Sequence, residues 1–145
     1  MDERIETLVR RIFASARFVQ LLGIELVALG DGWCETSVRI TPEHYQQHGF
    51  AHAGIVMTLA DHTCGGAAGT TAAPGKEVIT VENKVSFLRP ASGDMLFCRA
   101  QVLRSGKNLS FVEAEVTAER DAERILVAKM SSTLAFIPLK QASSS

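Results

Sequence analysis

The sequence predicts an α+β domain in which a long antiparallel β-sheet encloses one apolar helix, with a second helix laid alongside. Three observations predict it. From His52 to about Ala73 the chain reads HAGIVMTLADHTCGGAAGTTAA, small and apolar nearly all round, as a helix wrapped on most sides requires. After Pro74-Gly75 come four strand-like stretches, about 77 to 89, 94 to 104, 108 to 119 and 124 to 137, separated by Ser92-Gly93, Ser105-Gly106 and Arg120-Asp121-Ala122. In the third of these, Ser110, Val112, Ala114, Val116 and Ala118 alternate with Phe111, Glu113, Glu115, Thr117 and Glu119, the period of two of a sheet with one wet face.

Taken in chain order, Ile5, Leu8, Val9, Ile12, Phe13 and Ala16 recur at spacings of three and four and predict a helix from about residue 3 to 20. Gly23 interrupts it. Ile24 to Leu29 and Trp33 to Ile40 flank the turn signal Gly30-Asp31-Gly32 and predict a hairpin, closed by Thr41-Pro42. Glu43 to Ala51 is a polar, histidine-bearing loop of the kind that carries chemistry. In the buried helix, Gly65, Gly66 and Gly69 each cost about 1 kcal/mol of helix propensity relative to Ala, so close backbone approach is the better explanation for them. The last four stretches read as an antiparallel meander. Residues 1–138 form one domain, and 139–145 (LKQASSS) read as a frayed tail.

Composition narrows the function. The 145 residues are 46% hydrophobic and 21% charged, outside the range of disordered chains. Fifteen basic against sixteen acidic residues supply none of the concentrated positive charge that nucleic acid binding needs. No apolar run approaches the roughly 18 residues of a membrane span, and MDERIETLVRR lacks the apolar centre of a secretory signal, which points to a cytoplasmic protein with no membrane partner. Cys34, Cys64 and Cys98 are odd in number and widely spaced, so they read as reduced core residues rather than disulfides or a zinc site.

The most informative segment runs Gln46-Gln47-His48-Gly49-Phe50-Ala51-His52-Ala53-Gly54 and continues to Leu59-Ala60-Asp61. It resembles the hotdog-fold acyl-CoA thioesterases, and within them the phenylacetic acid degradation branch, whose pattern is Asn or Gln, His-Gly-Gly six residues later, and Leu-x-Asp with the Asp nine after the His. Gln46, His52 and Asp61 fall at those spacings. The resemblance extends from about Leu22 to Pro138 through Thr80, Ser86-Phe87-Leu88-Arg89-Pro90, Gly93-Asp94 and Ser105-Gly106-Lys107. Two departures stand out: Ala53 replaces the first Gly after His, and Gln46 stands where this branch more often has Asn. Neither removes the chemistry, because Ala53 still supplies a backbone N–H at a helix start and Gln46 keeps the amide donors.

The resemblance implies a hotdog fold, an acyl-CoA substrate, hydrolysis to free acid and CoA, and no cofactor beyond the CoA of the substrate. The Ala53 N–H and the Gln46 amide would polarise the thioester carbonyl, Asp61 would attack it or activate water, Thr80 would hold that water, and His52 with Gly54 would shape the turn. Arg89, Arg104 and Lys107 are basic residues at strand ends and candidate contacts for the CoA phosphates, although solvated surface charge is the default for each singly; only Lys107, in its Ser-Gly-Lys turn, is supported by the resemblance. Eight residues of helix separate Ala53 from Asp61, roughly 12 Å of rise, so one chain cannot bring both to one carbonyl. A homodimer or homotetramer with sites shared across a two-fold interface follows.

Blander readings compete. Asp61 as a carboxylate bonded to backbone is rare in an apolar helix, whereas Thr80 is equally readable as an ordinary β-branched strand residue. His44, His48 and His52 sit four apart, a spacing that suits a metal on a helix, but Pro42 and Gly49 argue against a helix there, and no metal is expected. Cys64 has no basic neighbour at three or four residues and no Gly-x-Ser-x-Gly elbow occurs, which disfavours thiol and serine nucleophiles. The rivals to a hydrolase are a hydratase or dehydratase of the same fold and a non-catalytic acyl-CoA binding module.

Overall fold

The computed structural model describes residues 1–140. Their elements are α1 (Glu3–Ser15), α2 (Arg17–Leu22), β1 (Ile24–Gly30), β2 (Trp33–Arg39), a 3-10 turn (Pro42–His44), α3 (Ala53–Gly69), β3 (Lys76–Phe87), β4 (Met95–Ser105), β5 (Leu109–Arg120) and β6 (Glu123–Pro138). The strands form one antiparallel sheet in the order β1-β2-β4-β5-β6-β3, and α3 lies in its concave face, touching every strand. Leu59, Ala60, Cys64, Ala67 and Ala68 of α3 have no exposed surface and meet Val38, Leu96, Ala100, Val116 and Leu134 of the sheet. The alternation read in β5 is the burial seen: Ser110, Val112, Ala114, Val116 and Ala118 are buried and their neighbours are not. No helix among the described residues is long and apolar enough to cross a membrane.

Three expectations are corrected. The helix expected over 3 to 20 breaks at Ala16, whose backbone is extended. On one straight helix Phe13 and Val19 would point about 120° apart; the break buries both, and the Gln20 side-chain amide donates to the Phe13 carbonyl freed by it (2.7 Å). The buried helix ends at Gly69 rather than Ala73, because the Thr70 and Thr71 hydroxyls bond back to the Ala67 and Ala68 carbonyls and close the last turn. The last four strands are not a simple meander. β4, β5 and β6 are consecutive neighbours, but β3 pairs with β6 at the sheet edge while β4 pairs with β2. The link from Leu88 to Asp94, with Pro90 in it, carries the chain across instead of folding it into a hairpin.

The close approach inferred for the α3 glycines holds at two of three. A Cβ on Gly66 would lie 2.7 Å from Cys34 Sγ and 3.1 Å from the Phe13 ring, and one on Gly69 3.3 Å from Val9. These glycines let α1 settle on α3. Gly65 meets nothing within 4 Å and borders a cavity instead. Of the tail expected over 139–145, residues 141–145 lie outside the described residues, and the Leu139 N–H donates to the Gly75 carbonyl (2.9 Å).

Candidate active site

The loop before α3 is pinned by its own backbone. The Gln46 N–H donates to the Phe50 carbonyl (2.8 Å), the His52 N–H to the His44 carbonyl (2.8 Å) and the Ala51 N–H to the Ala91 carbonyl (3.0 Å). His44 is a structural residue: its Nδ1 accepts from the Thr41 N–H (3.0 Å) and its Nε2 meets the Leu22 carbonyl (2.9 Å). That occupies both ring nitrogens and takes His44 out of the histidine row. Among the described residues no three His, Cys, Asp or Glu side chains gather as a metal site.

His52 is the N-cap of α3, its Nδ1 accepting from the Gly54 N–H at 2.7 Å. A Cβ on Gly54 would come within 3.0 Å of that nitrogen, which is why glycine suits the position. The cap satisfies Gly54 and leaves the Ala53 N–H, at the positive end of the helix, facing outward. Gln46 stands beside it. Its Oε1 accepts from the backbone N–H groups of His48 and Phe50, and that pairing with two donors fixes the amide so that Nε2 is the group left to donate. Gln46, His52, Ala53 and Arg89 border one open cleft of about 600 Å³, together with Phe50 and Val56. Arg89 is anchored at its rim by donating to the Leu126 carbonyl (2.9 Å).

Asp61 lies two turns further along α3 and faces β3. The Thr80 hydroxyl donates to Asp61 Oδ1 (2.8 Å) and the Asn83 amide donates to the same oxygen (2.9 Å), while Ser132 on β6 holds the Asn83 carbonyl oxygen (2.7 Å). Oδ2 has no donor among the described residues. A regular strand points residues three apart to opposite faces. Here the β3–β6 register shifts between Thr80 and Glu82, and this bulge turns Asn83 to the side of Thr80. Asp61 and Thr80 border a second, narrower cavity of about 200 Å³ between α1, α3 and β3.

The structure therefore places the expected residues in two groups. Gln46, His52, Ala53, Gly54 and Arg89 sit around the start of α3, and Asp61 with Thr80 against β3. Lys107 joins neither: it is exposed in the β4–β5 turn, near the far end of α3 through the Ser105–Thr71 hydrogen bond (2.8 Å). Asn83 and Ser132 were missed by sequence reasoning, because period-two counting from Thr80 assigns Asn83 to the opposite face. The cysteines are core residues as read. All three are buried, and burial pushes the Cys34 and Cys98 thiols up to about 12 and the Cys64 thiol higher still.

Known proteins match this chain over most of its length. The family model described as Thioesterase superfamily matches residues 48–125, the stretch that holds the α3 cap, Asp61, Thr80 and Asn83. A crystal structure of a thioesterase family protein from Silicibacter pomeroyi superposes with a TM-score of 0.91 at 37% identity, covering 92% of this chain and 98% of that one. Human acyl-coenzyme A thioesterase 13 is 27% identical over 81% of this chain and 84% of its own. The protein of the phenylacetic acid degradation operon of E. coli shares the fold with a TM-score of 0.83 at 22% identity, covering 92% of this chain and 93% of that one. The chain belongs to the thioesterase superfamily, has its hotdog fold, and is a thioester hydrolase.

Proposed function

We propose that the protein hydrolyses acyl-CoA thioesters to free acid and CoA at two sites per homodimer, each built from the α3 start of one subunit and Asp61 of the other. The observation that carries this reading is the division of the site residues between two cavities on one helix. Eight residues of α3, roughly 12 Å of rise, separate Ala53 from Asp61, whereas a carbonyl under attack must lie about 3 Å from both its oxyanion donors and its nucleophile. The open edge supports the same reading. β3 pairs on one side only, is 12 residues long, and exposes Ile79 and Val81, an edge that a protein leaves uncovered only at risk of aggregation.

In this mechanism the thioester carbonyl oxygen rests between the Ala53 N–H and Gln46 Nε2, both held before substrate arrives. Such preorganised donors are worth about 3 to 4 kcal/mol each in acyl transfer. Asp61 of the partner acts through Oδ2, as nucleophile or as base toward a water held near Thr80, while the two donors on Oδ1 keep the carboxylate turned. His52 and Gly54 hold the helix start. Arg89, at the rim of the first cleft, is placed for the CoA phosphates, and Lys107 serves them only if the partner brings it near. CoA arrives as part of the substrate, and the chemistry needs no other cofactor.

Complementation tests the shared site. Asp61→Asn and Gln46→Leu are each expected to lose thiol release from an acyl-CoA. Mixed one to one and re-equilibrated, half the dimers are hybrids with one intact site of two, so about one quarter of wild-type activity returns. No recovery in a mixture shown to exchange subunits would sink the shared-site reading.

A further inference from the structure

We infer that Gly65 is a specificity-determining residue: the side chain it lacks is the passage by which the body of an acyl group runs past Asp61 into the cavity between α1, α3 and β3. The inference rests on the thioesterase site proposed above and adds to it a residue that touches neither the carbonyl nor CoA. In that site the carbonyl carbon lies at Asp61, and the first cleft, with Arg89 at its rim, takes the CoA side. The carbons on the other side of the carbonyl need room that begins at Asp61 and Thr80. The second cavity begins there and runs back under α1 between Leu8, Ile12, Val78 and Leu134. Its volume of about 200 Å³ compares with the roughly 150 Å³ that encloses benzene in an engineered protein cavity, so it has space for about six carbons.

Gly65 borders this cavity one turn after Asp61, on the same face of α3. It stands inside a helix, where alanine is the better former, and alanine would fit: the backbone is helical, and a Cβ built there meets nothing within 4 Å among the described residues. Its neighbours are different. Gly66 is held to glycine by Cys34 and Phe13, and Gly69 is crowded by Val9. The packing of α3 therefore asks for two of the three glycines and not for Gly65, whose only neighbourhood beyond its own helix is the cavity. Direction decides what a side chain there would do. On a helix the Cα–Cβ bond leans toward the N-terminus, so a side chain at 65 extends back over the turn that holds Asp61 and His62, across the mouth of the cavity rather than its far end. The four carbons of a leucine would take most of a space that holds about six.

The test measures kcat/KM for thiol release from acetyl-, butyryl-, hexanoyl-, octanoyl- and phenylacetyl-CoA with the wild type, Gly65→Ala and Gly65→Leu, together with the Tm of each protein. The quantity compared is the ratio of kcat/KM on the smallest acyl group turned over to that on the largest. Gly65→Leu is expected to raise this ratio tenfold or more through loss of the larger substrates, with the smallest kept within threefold of wild type. Gly65→Ala should raise it about threefold and at the same time raise Tm by about 3 °C, because a helix glycine is replaced and nothing is displaced. A merely structural glycine would give the opposite sign in Tm and leave the ratio alone. An unchanged ratio in both variants, an equal loss on every substrate, a lower Tm in Gly65→Ala, or a wild type confined to acetyl and butyryl groups would overturn the role of Gly65 while leaving the hydrolase intact. Absence of CoA release from all five compounds with the wild type would instead overturn the acyl-CoA reading itself.

Discussion

Asn83 offers the sharpest test of how the carboxylate is held. Asn83→Ala removes the 2.9 Å donor to Asp61 Oδ1 and, at the same stroke, the 2.7 Å acceptor of the Ser132 hydroxyl. A hydrogen bond to a charged group is worth about 1.5 to 3 kcal/mol. Asp61 is half-buried, so water replaces part of it, and about 1.4 kcal/mol of alignment is lost, roughly tenfold in kcat. Stability falls for a different reason: Ser132 is 3% exposed, and its orphaned hydroxyl costs about 1 to 2 kcal/mol. Ser132→Ala alone frees the Asn83 carbonyl oxygen and costs about 1 kcal/mol, with a smaller effect on kcat because the donor to Asp61 remains. In the double variant no hydroxyl is stranded, so the second substitution costs almost nothing, and the coupling is about 1 kcal/mol. Urea unfolding of the four proteins gives the stabilities and thiol release gives kcat. If the stability changes add within about 0.5 kcal/mol, or if Asn83→Ala keeps kcat within twofold of wild type, the chain Ser132–Asn83–Asp61 is not what aims the acid.

Two further outcomes follow from the backbone and the core. The β5–β6 turn places Asp121 (φ 53) and Ala122 (φ 65) in the left-handed region, as a two-residue hairpin turn demands, so Ala122→Gly should raise stability by about 1 kcal/mol in thermal or urea unfolding; a loss would show that the turn is not under this strain. Burial raises the Cys34 and Cys98 thiols from an ordinary 9.0 to about 12. Between those values the unfolded chain has released protons that the folded chain keeps, so stability is intact below pH 9 and falls as pH rises, by about 1.4 kcal/mol per pH unit for each thiol. Cys34→Ala should flatten the slope of stability between pH 9.5 and 11 by that amount, and an unchanged slope counts against a buried, neutral thiol.

The sequence carried the elements whose pattern is local. The wet and dry faces of β5 were written in Ser110 to Glu119, and the all-round apolarity of α3 announced a helix enclosed by sheet. Order within the sheet was not legible. Whether β3 lies beside β4 or beyond β6 depends on where the Leu88–Asp94 link crosses, and no residue in it encodes that destination. The break at Ala16 was hidden for a similar reason: apolar spacing from Ile5 to Ala16 is regular, and only the need to bury Phe13 and Val19 together turns the chain. At the candidate site, the spacing of one motif singles out Gln46, His52 and Asp61, and the likeness of the following strand adds Thr80. Asn83 escaped because a bulge at Val81 changes the parity of β3, and a bulge is set by tertiary pairing with β6 rather than by the residues around it.

That bulge also ties the proposed chemistry to the sheet edge. Without it, Thr80 and Asn83 would point to opposite faces and only one donor would reach Asp61 Oδ1. With it, both donors sit on one oxygen, Oδ2 has no donor among the described residues, and the extra residue, Val81, is 60% exposed on an edge that has no neighbouring strand among those residues. An apolar residue at that position is expensive in a monomer and inexpensive beneath a partner. In the proposed dimer the same residue insertion that aims the carboxylate thus presents the apolar contact through which the second subunit brings its helix start. Holding the acid and recruiting the other half of the site become two consequences of one local irregularity in β3.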